Sequence, residues 1–171
     1  MATALSRTPL HARHLAAGAR LGGFAGWEMP LVYTSPSDEH RAVRERVGLF
    51  DISHMGQLEV SGPAARDYLQ HALTNDLRAI GPGQAQYTLM CQEDGGIIDD
   101  LIVYALLDRF LLVVNAANTA ACREWLVSRA PEEVEIADRS DEIAMLALQG
   151  PRYKEVLAPL VRTPAPLGLA Y

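Results

Sequence analysis

The sequence predicts an α+β protein in which antiparallel strands are backed by helices. Three observations carry this. QAQYTLMCQ, IIDDLIVYAL and FLLVVNAA are apolar, strand-like runs that follow one another closely. Only Glu93-Asp94-Gly95-Gly96 and Asp108-Arg109 separate them, as hairpin-connected neighbours require. Between residues 57 and about 150, strand-like runs are interrupted by stretches of helical period, the pattern of a sheet packed on helices.

The elements follow in order. PLHARHLAAGARL carries Leu10, His14, Leu15 and Leu21 at helical spacing, and Gly22-Gly23 ends that helix. FAGWEMPLVYTSP, punctuated by Gly and Pro, reads as loop and short strand. SDEHRAVRERVGLFD reads as a helix with Ser37 as N-cap and His40 at the capping-box position. Ala42, Val43 and Val47 form its buried stripe and Gly48 its stop. QLEVSG is a strand. PAARDYLQHAL is a helix beginning at Pro63, with Ala65, Tyr68, Leu69 and Leu73 on one face. After the three central strands, TAACREWLVSRA is a helix offering Ala121, Trp125, Leu126 and Val127 for packing. VEIADRS and IAMLALQG are strands, and PRYKEVLAPLV is a helix starting at Pro151. TPAPLGLAY closes nothing, so the fold is expected to continue in a larger protein.

With 171 residues, 49% of them hydrophobic and 21% charged, the chain can bury a core without a disulfide or metal staple. A net charge of −6 argues against sequence-independent nucleic-acid binding, which needs a basic face. No apolar run reaches membrane-spanning length. Cys91 and Cys122 form no CxxC, and a reducing, cytoplasmic compartment is the simplest expectation. Arg7, Arg13 and Arg20 precede the first acid, superficially like a transit peptide.

GGIIDDLIVY poses the central question: two adjacent carboxylates, Asp99 and Asp100, stand inside a buried-strand pattern. Successive side chains of a strand point to opposite faces, so the pair cannot share a proton. One face carries Ile97, Asp99, Leu101 and Val103; the other carries Ile98, Asp100, Ile102 and Tyr104. Either both acids lie at an exposed strand end, or one points into a pocket as a candidate acid, base or amine-binding anion. Spacing does not decide between these. Elsewhere Ser53-His54 lacks a third group for nucleophilic catalysis. His11 and His14 lack the further ligands of a metal set, so surface or packing roles are expected for them and for His54.

RTPLHARH, FAGWEMPLVY, EHRAVRERVGLFDISHMG, LTND, GGIIDDLIVY and LLVVNAAN, in this order, resemble the N-terminal half of the glycine cleavage system T-protein family, the aminomethyltransferases. The resemblance runs from about Arg7 to Pro151, so the acid-poor start reads as structure, with Met1 to Ser6 as a loose tail. It implies a three-domain cloverleaf fold. Residues 1–55 and 140–171 would belong to a discontinuous first domain and residues 56–139 to a compact middle domain. It implies transfer of a methylene group from an aminomethyl-loaded lipoyl arm of the H-protein to tetrahydrofolate, with release of ammonia and without a metal. It assigns Asp100 to the reacting centre and Met55, Tyr87, Tyr104 and Asn115 to folate binding. From the residues alone Met55 is core filler, Tyr87 and Tyr104 are strand aromatics, and Asn115 is a strand-end turn residue.

Family members are about twice as long, and the second half supplies further folate contacts, so the expected chain is a fragment. The missing half or a second copy would complete it. Other implied readings are a folate-binding module without catalysis, the folate domain of a sarcosine or dimethylglycine demethylase relative, and a folate protein assisting iron–sulfur maturation.

Overall fold

The structure, a computed structural model, describes residues 4–161. In chain order its elements are α1 (His11–Ala16), β1 (Arg20–Phe24), β2 (Trp27–Val32), α2 (Pro36–Glu45), β3 (Gly48–Asp51), β4 (Gly56–Ser61), α3 (Ala65–Ala72), β5 (Ala85–Cys91), β6 (Ile97–Ala105), β7 (Arg109–Val114), α4 (Thr119–Val127), β8 (Glu135–Asp138), β9 (Leu146–Gln149) and α5 (Tyr153–Leu157). These strands pair antiparallel throughout, as a five-stranded sheet in the order β5-β6-β7-β4-β8 and as the two-stranded sheets β1-β2 and β3-β9. The chain divides into two compact units. One comprises the chain up to His54 and the segment that begins at Ala144; the other contains Met55–Ile143.

The Met55–Ile143 unit is built on the five-stranded sheet. Alternation along the strands sends Leu58, Val60, Met90, Leu101, Val103, Leu112 and Val114 to one face. There they pack with Leu69 of α3 and with Cys122 and Leu126 of α4 in a single buried cluster. α4 therefore buries Cys122 and Leu126, while Ala121 and Val127 of the expected packing set are exposed. α3 begins at Ala65, two residues after Pro63, and buries Ala65 and Leu69 as expected. The Tyr68 hydroxyl donates to the Leu126 carbonyl at 2.6 Å, tying α3 to the end of α4, and burial pushes this phenol up to about 12. Gly56 opens β4 where a Cβ would meet Thr119 Oγ1 at 2.3 Å, so only glycine admits the start of α4 this close to the strand.

Parity on β6 departs from simple alternation at its first residues. Met90 pairs with Asp99 and Cys91 with Ile97, which leaves Ile98 as an extra, bulged residue. Ile97 is consequently 64% exposed although it was expected to share a face with Asp99, which is 3% exposed.

In the other unit α1 is short, ending at Ala16; Gly18, just past its cap, has the φ of +77° that a helix C-terminus favours. Residues 20–24 form β1, so Gly22-Gly23 lie within a strand rather than ending a helix. The β1-β2 hairpin turns at Ala25 and Gly26, whose φ values of 49° and 84° are those of a type I′ turn. Ser6 bonds Gly26 and Glu28, so it is tied to this hairpin rather than being part of a tail. Met1 to Thr3 and the TPAPLGLAY segment lie outside the described residues.

α2 is capped by Ser35, not Ser37: Pro36 occupies the first helical position and holds the preceding residue extended, which is cap geometry. No α2 side chain is fully buried. Ala42 and Val43, with Met29, Leu31, Leu49 and Phe50, line an open apolar cavity of about 480 Å³. Gly48 begins β3, paired with β9, instead of ending a helix.

His14 is a core residue of this unit, 7% exposed. Its ring bonds Asp51 Oδ2 at 2.8 Å and the Tyr33 hydroxyl at 2.7 Å, while Thr8 donates to the same Asp51 oxygen at 2.6 Å. Burial raises the Asp51 carboxyl, but the bonds from Ser53, Thr8 and His14 outweigh it and hold the group below the ordinary carboxylate value. A depressed folded value contributes stability that is present above the unfolded value, near pH 4, and lost as pH falls through the folded one. Asp51→Asn is therefore expected to cost about 2 kcal/mol near neutral pH and to flatten the acid limb of a stability–pH curve. An unchanged acid limb would show that Asp51 does not carry the acid sensitivity.

Candidate functional site

The site grows out of the register of the five-stranded sheet. β5 pairs Tyr87 with Ile102 and Leu89 with Asp100, while β6 and β7 pair Ile102 with Val113. The pairing stops there, and Asn115, just beyond β7, reaches Asp100 through its side chain. β4 pairs Gly56 with Val114 and Gln57 with Val113, and Met55 directly precedes β4. Leu89 and Asp100 thus form one cross-strand pair, and Tyr87, Ile102, Val113 and Gln57 form the next row, across four strands. Tyr104 lies a row further on, opposite Ala85 and Leu111. It shares the face of Asp100 but stands about 13 Å along the strand. Both rows are on the face opposite the helix-packed core.

Tyr87 and Asp100 are diagonal neighbours, a spacing that long aromatic side chains bridge. The Tyr87 hydroxyl donates to Asp100 Oδ2 at 3.1 Å. Asn115 Nδ2 donates to Asp100 Oδ1 at 3.2 Å and to its backbone carbonyl at 3.0 Å. The Tyr87 ring is 56% exposed. The hydrogen bond to Asp100, then burial and the charges of both aspartates, raise its phenol above the ordinary tyrosine value. Removing the partner reverses the shift: in Asp100→Ala the Tyr87 phenol is expected to ionise at lower pH, read as the absorbance titration of this tyrosine. An unmoved titration would show that the two groups are not bonded in solution.

Asp99 has the opposite environment. Its Oδ2 accepts from the Asn115 backbone N–H at 2.8 Å and from Cys122 Sγ at 3.7 Å. Its Oδ1 accepts from Asn115 Nδ2 at 2.9 Å and Asn118 Nδ2 at 2.6 Å. A carboxylate has about four lone-pair sites, and here each is used. Burial, followed by the charge and hydrogen bond of Asp99, pushes the Cys122 thiol up to about 12, so it stays protonated as a donor.

The two aspartates are thereby told apart. Asp99 is saturated and enclosed, with no room for a ligand. Asp100 is exposed and accepts two side-chain bonds, which leaves acceptor capacity for an incoming cation or N–H group. The structure brings Asp100, Tyr87 and Asn115 together by hydrogen bonds. Both Nδ2 hydrogens of Asn115 are shared among the aspartates, so Oδ1 is the atom of that side chain left to face a ligand.

Sequence reasoning passed over Asn118 and Cys122. One signal was available: Asn115 and Asn118 are three residues apart around the 3₁₀ turn Ala116–Asn118, where such positions stack. Among the described residues no group of three His, Cys, Asp or Glu could hold a metal ion, and no helix is long and apolar enough to cross a membrane.

Comparison with known proteins bears on the whole chain. The GCVT N-terminal domain family matches residues 10–167. An aminomethyltransferase of Symbiobacterium thermophilum is 51% identical over 166 residues, covering 94% of this chain and 44% of that protein. One of Parafrankia sp. is 51% identical over 159 residues, covering 91% and 44%. The crystal structure of glycine cleavage system aminomethyltransferase T from Bartonella henselae superposes with a TM-score of 0.84 at 42% identity, covering 91% of this chain and 43% of that one. The chain spans less than half the length of these relatives. Their antiparallel α+β architecture is shared, and the chain belongs to the family of the GCVT N-terminal domain.

Proposed function

We propose that this chain carries the folate-facing sheet of an aminomethyltransferase of the glycine cleavage system. The carrying observation is the exposed part of that face, where the carboxylate of Asp100 is held by Tyr87 and Asn115 beside the apolar residues Leu89 and Ile102. A reduced pterin is a flat heterocycle edged with N–H groups. The exposed Tyr87 ring and its apolar neighbours suit its face, and Asp100 and Asn115 Oδ1 suit its edge. Tyr104 extends the same face, and Met55, directly before β4, is assigned to the pterin by the resemblance.

The substrate partner is the lipoylated H-protein, which presents an aminomethyl group as S–CH₂–NH₃⁺. As the bond to ammonia breaks, positive charge develops on the methylene carbon. A fixed carboxylate beside it stabilises the cationic amine and then the positive methylene carbon, which sulfur supports until a folate nitrogen bonds to it. The two folate nitrogens take up the methylene and give up their protons, and the sulfur leaves as the thiol of a reduced lipoyl arm. Asp100 acts chiefly through its charge and secondarily by accepting the folate proton. The cytoplasm is the expected compartment.

The test is a calorimetric titration of the chain with 5-formyltetrahydrofolate, beside Asp100→Ala. It is paired with ammonia release from aminomethyl-loaded H-protein in the presence of tetrahydrofolate. Binding with turnover, alone or with the second half of a relative added, supports the enzyme. Because the chain spans less than half of its relatives, binding without turnover in either case would identify a folate-binding module. Neither binding nor turnover by a folded chain, even with that half present, would sink both readings.

A further inference from the structure

We infer that Asp99 is a positioning residue that acts on the exposed site through Asn115: it clamps the Asn115 amide, which in turn sets Asp100. This rests on the aminomethyltransferase reading only in its functional readout; the clamp itself is geometric.

The argument begins with the hydrogens available. Asn115 Nδ2 has two, and three acceptors surround it: Asp99 Oδ1 at 2.9 Å, the Asp100 carbonyl at 3.0 Å and Asp100 Oδ1 at 3.2 Å. One hydrogen is consumed by Asp99, so the other is shared between the two Asp100 acceptors. The same residue's backbone N–H is also held by Asp99, through Oδ2 at 2.8 Å. Asp99 thus grips Asn115 at two points, with both carboxylate oxygens. That double grip fixes both the position of the Asn115 backbone just beyond β7 and the rotation of its amide. Without it, the amide could turn and present its oxygen to Asp100, where two acceptors would repel.

The remaining donors hold Asp99 itself. Asn118 occupies Oδ1 and Cys122 occupies Oδ2, so the carboxylate is anchored to the 3₁₀ turn and to α4 as well as to its own strand. At 3% exposure, a carboxylate so bonded presents no free oxygen to solvent or to a ligand. Its influence on chemistry has one visible route, the amide it shares with Asp100. The doublet of adjacent acids in a buried strand therefore divides into one that faces the ligand and one that aims it, and the pleat is what gives each its face.

The test uses the whole chain, labelled with ¹³C and ¹⁵N, and needs no variant for its first step. Couplings transmitted across hydrogen bonds from Asn115 Nδ2 to the carboxyl carbons of Asp99 and Asp100 are expected. A freely exchanging Asn115 side-chain amide with neither coupling would overturn the proposal. The second step is a double-mutant cycle on affinity for 5-formyltetrahydrofolate. Asp99→Asn and Asn115→Ala are each expected to weaken binding about tenfold, and the double variant no more than either single one. Additive losses would mean that Asp99 supports the fold without acting through Asn115, which overturns the positioning role.

If Asp99→Asn does not fold, Asn118→Ala removes one anchor of Asp99 and leaves its charge. It is expected to weaken the Asn115–Asp99 coupling and to lower affinity several-fold in wild type but not in Asn115→Ala. An effect of equal size in both backgrounds would overturn the role. A wild-type chain that shows both couplings yet neither binds folate nor turns over, even with the second half of a relative added, would leave the clamp standing and refute the proposed function instead.

Discussion

Asp100→Asn is expected to lower aminomethyl transfer by roughly two to three orders of magnitude while leaving the thermal midpoint almost unchanged. The isosteric amide keeps the size of the side chain and can still accept from Tyr87, but it removes the charge. If the carboxylate stabilises positive charge on the transferring methylene, the loss falls on the chemical step. Single-turnover rates of ammonia release should drop, while affinity for reduced folate changes much less. The fold is insulated because Asp100 lies exposed on the face opposite the core cluster, with its charge facing outward. A variant with near-wild-type turnover would remove Asp100 from the chemistry, both as electrostatic stabiliser and as proton acceptor. Retained chemistry with lost affinity would instead make it a binding group.

Leu112→Ala is expected to have the largest effect on stability. Leu112 is 0% exposed on the central strand β7, between Leu58 of β4 and Val103 of β6, each also 0% exposed. Leu69 of α3 and Leu126 of α4 belong to the same cluster. Truncation removes the transfer free energy of the lost methyl groups and leaves a cavity that a central strand cannot collapse to fill, for about 3 kcal/mol. In a unit of this size that corresponds to a midpoint lowered by roughly 15 °C. Leu107→Ala is the matched control. Leu107 is 89% exposed in the turn between β6 and β7 and should change stability by less than about 0.5 kcal/mol. Equal midpoints for the two variants would show that this sheet face is not the core.

Much of the fold was legible in local pattern. The three central strands, their turns, and helices α3 and α4 have unambiguous periods and punctuation. Their placement follows from elementary rules of pleat, proline and glycine. The misread elements share a cause. Gly22-Gly23 and Gly48 look like helix stops in isolation, yet they lie in β1 and β3, whose partners β2 and β9 are set by pairing. For β3 that partner lies about a hundred residues away in sequence. His14 looked idle beside His11 because the groups that complete it, Tyr33 and Asp51, are 19 and 37 residues distant.

For the site, the sequence by itself determined that Asp99 and Asp100 face opposite ways, because alternation is a property of any extended strand. Its resemblances named Asp100 as the reacting one. Which of the two is enclosed, and by what, was decided only by tertiary structure. The bulge at Ile98 sets the entry into β6, the end of β7 places the Asn115 side chain between the two aspartates, and the turn after β7 folds Asn118 and Cys122 onto Asp99. Those contacts join segments 16 to 23 residues apart. Local propensity acts over a few residues, so a hydrogen-bond network of that span becomes specific only once the sheet has closed.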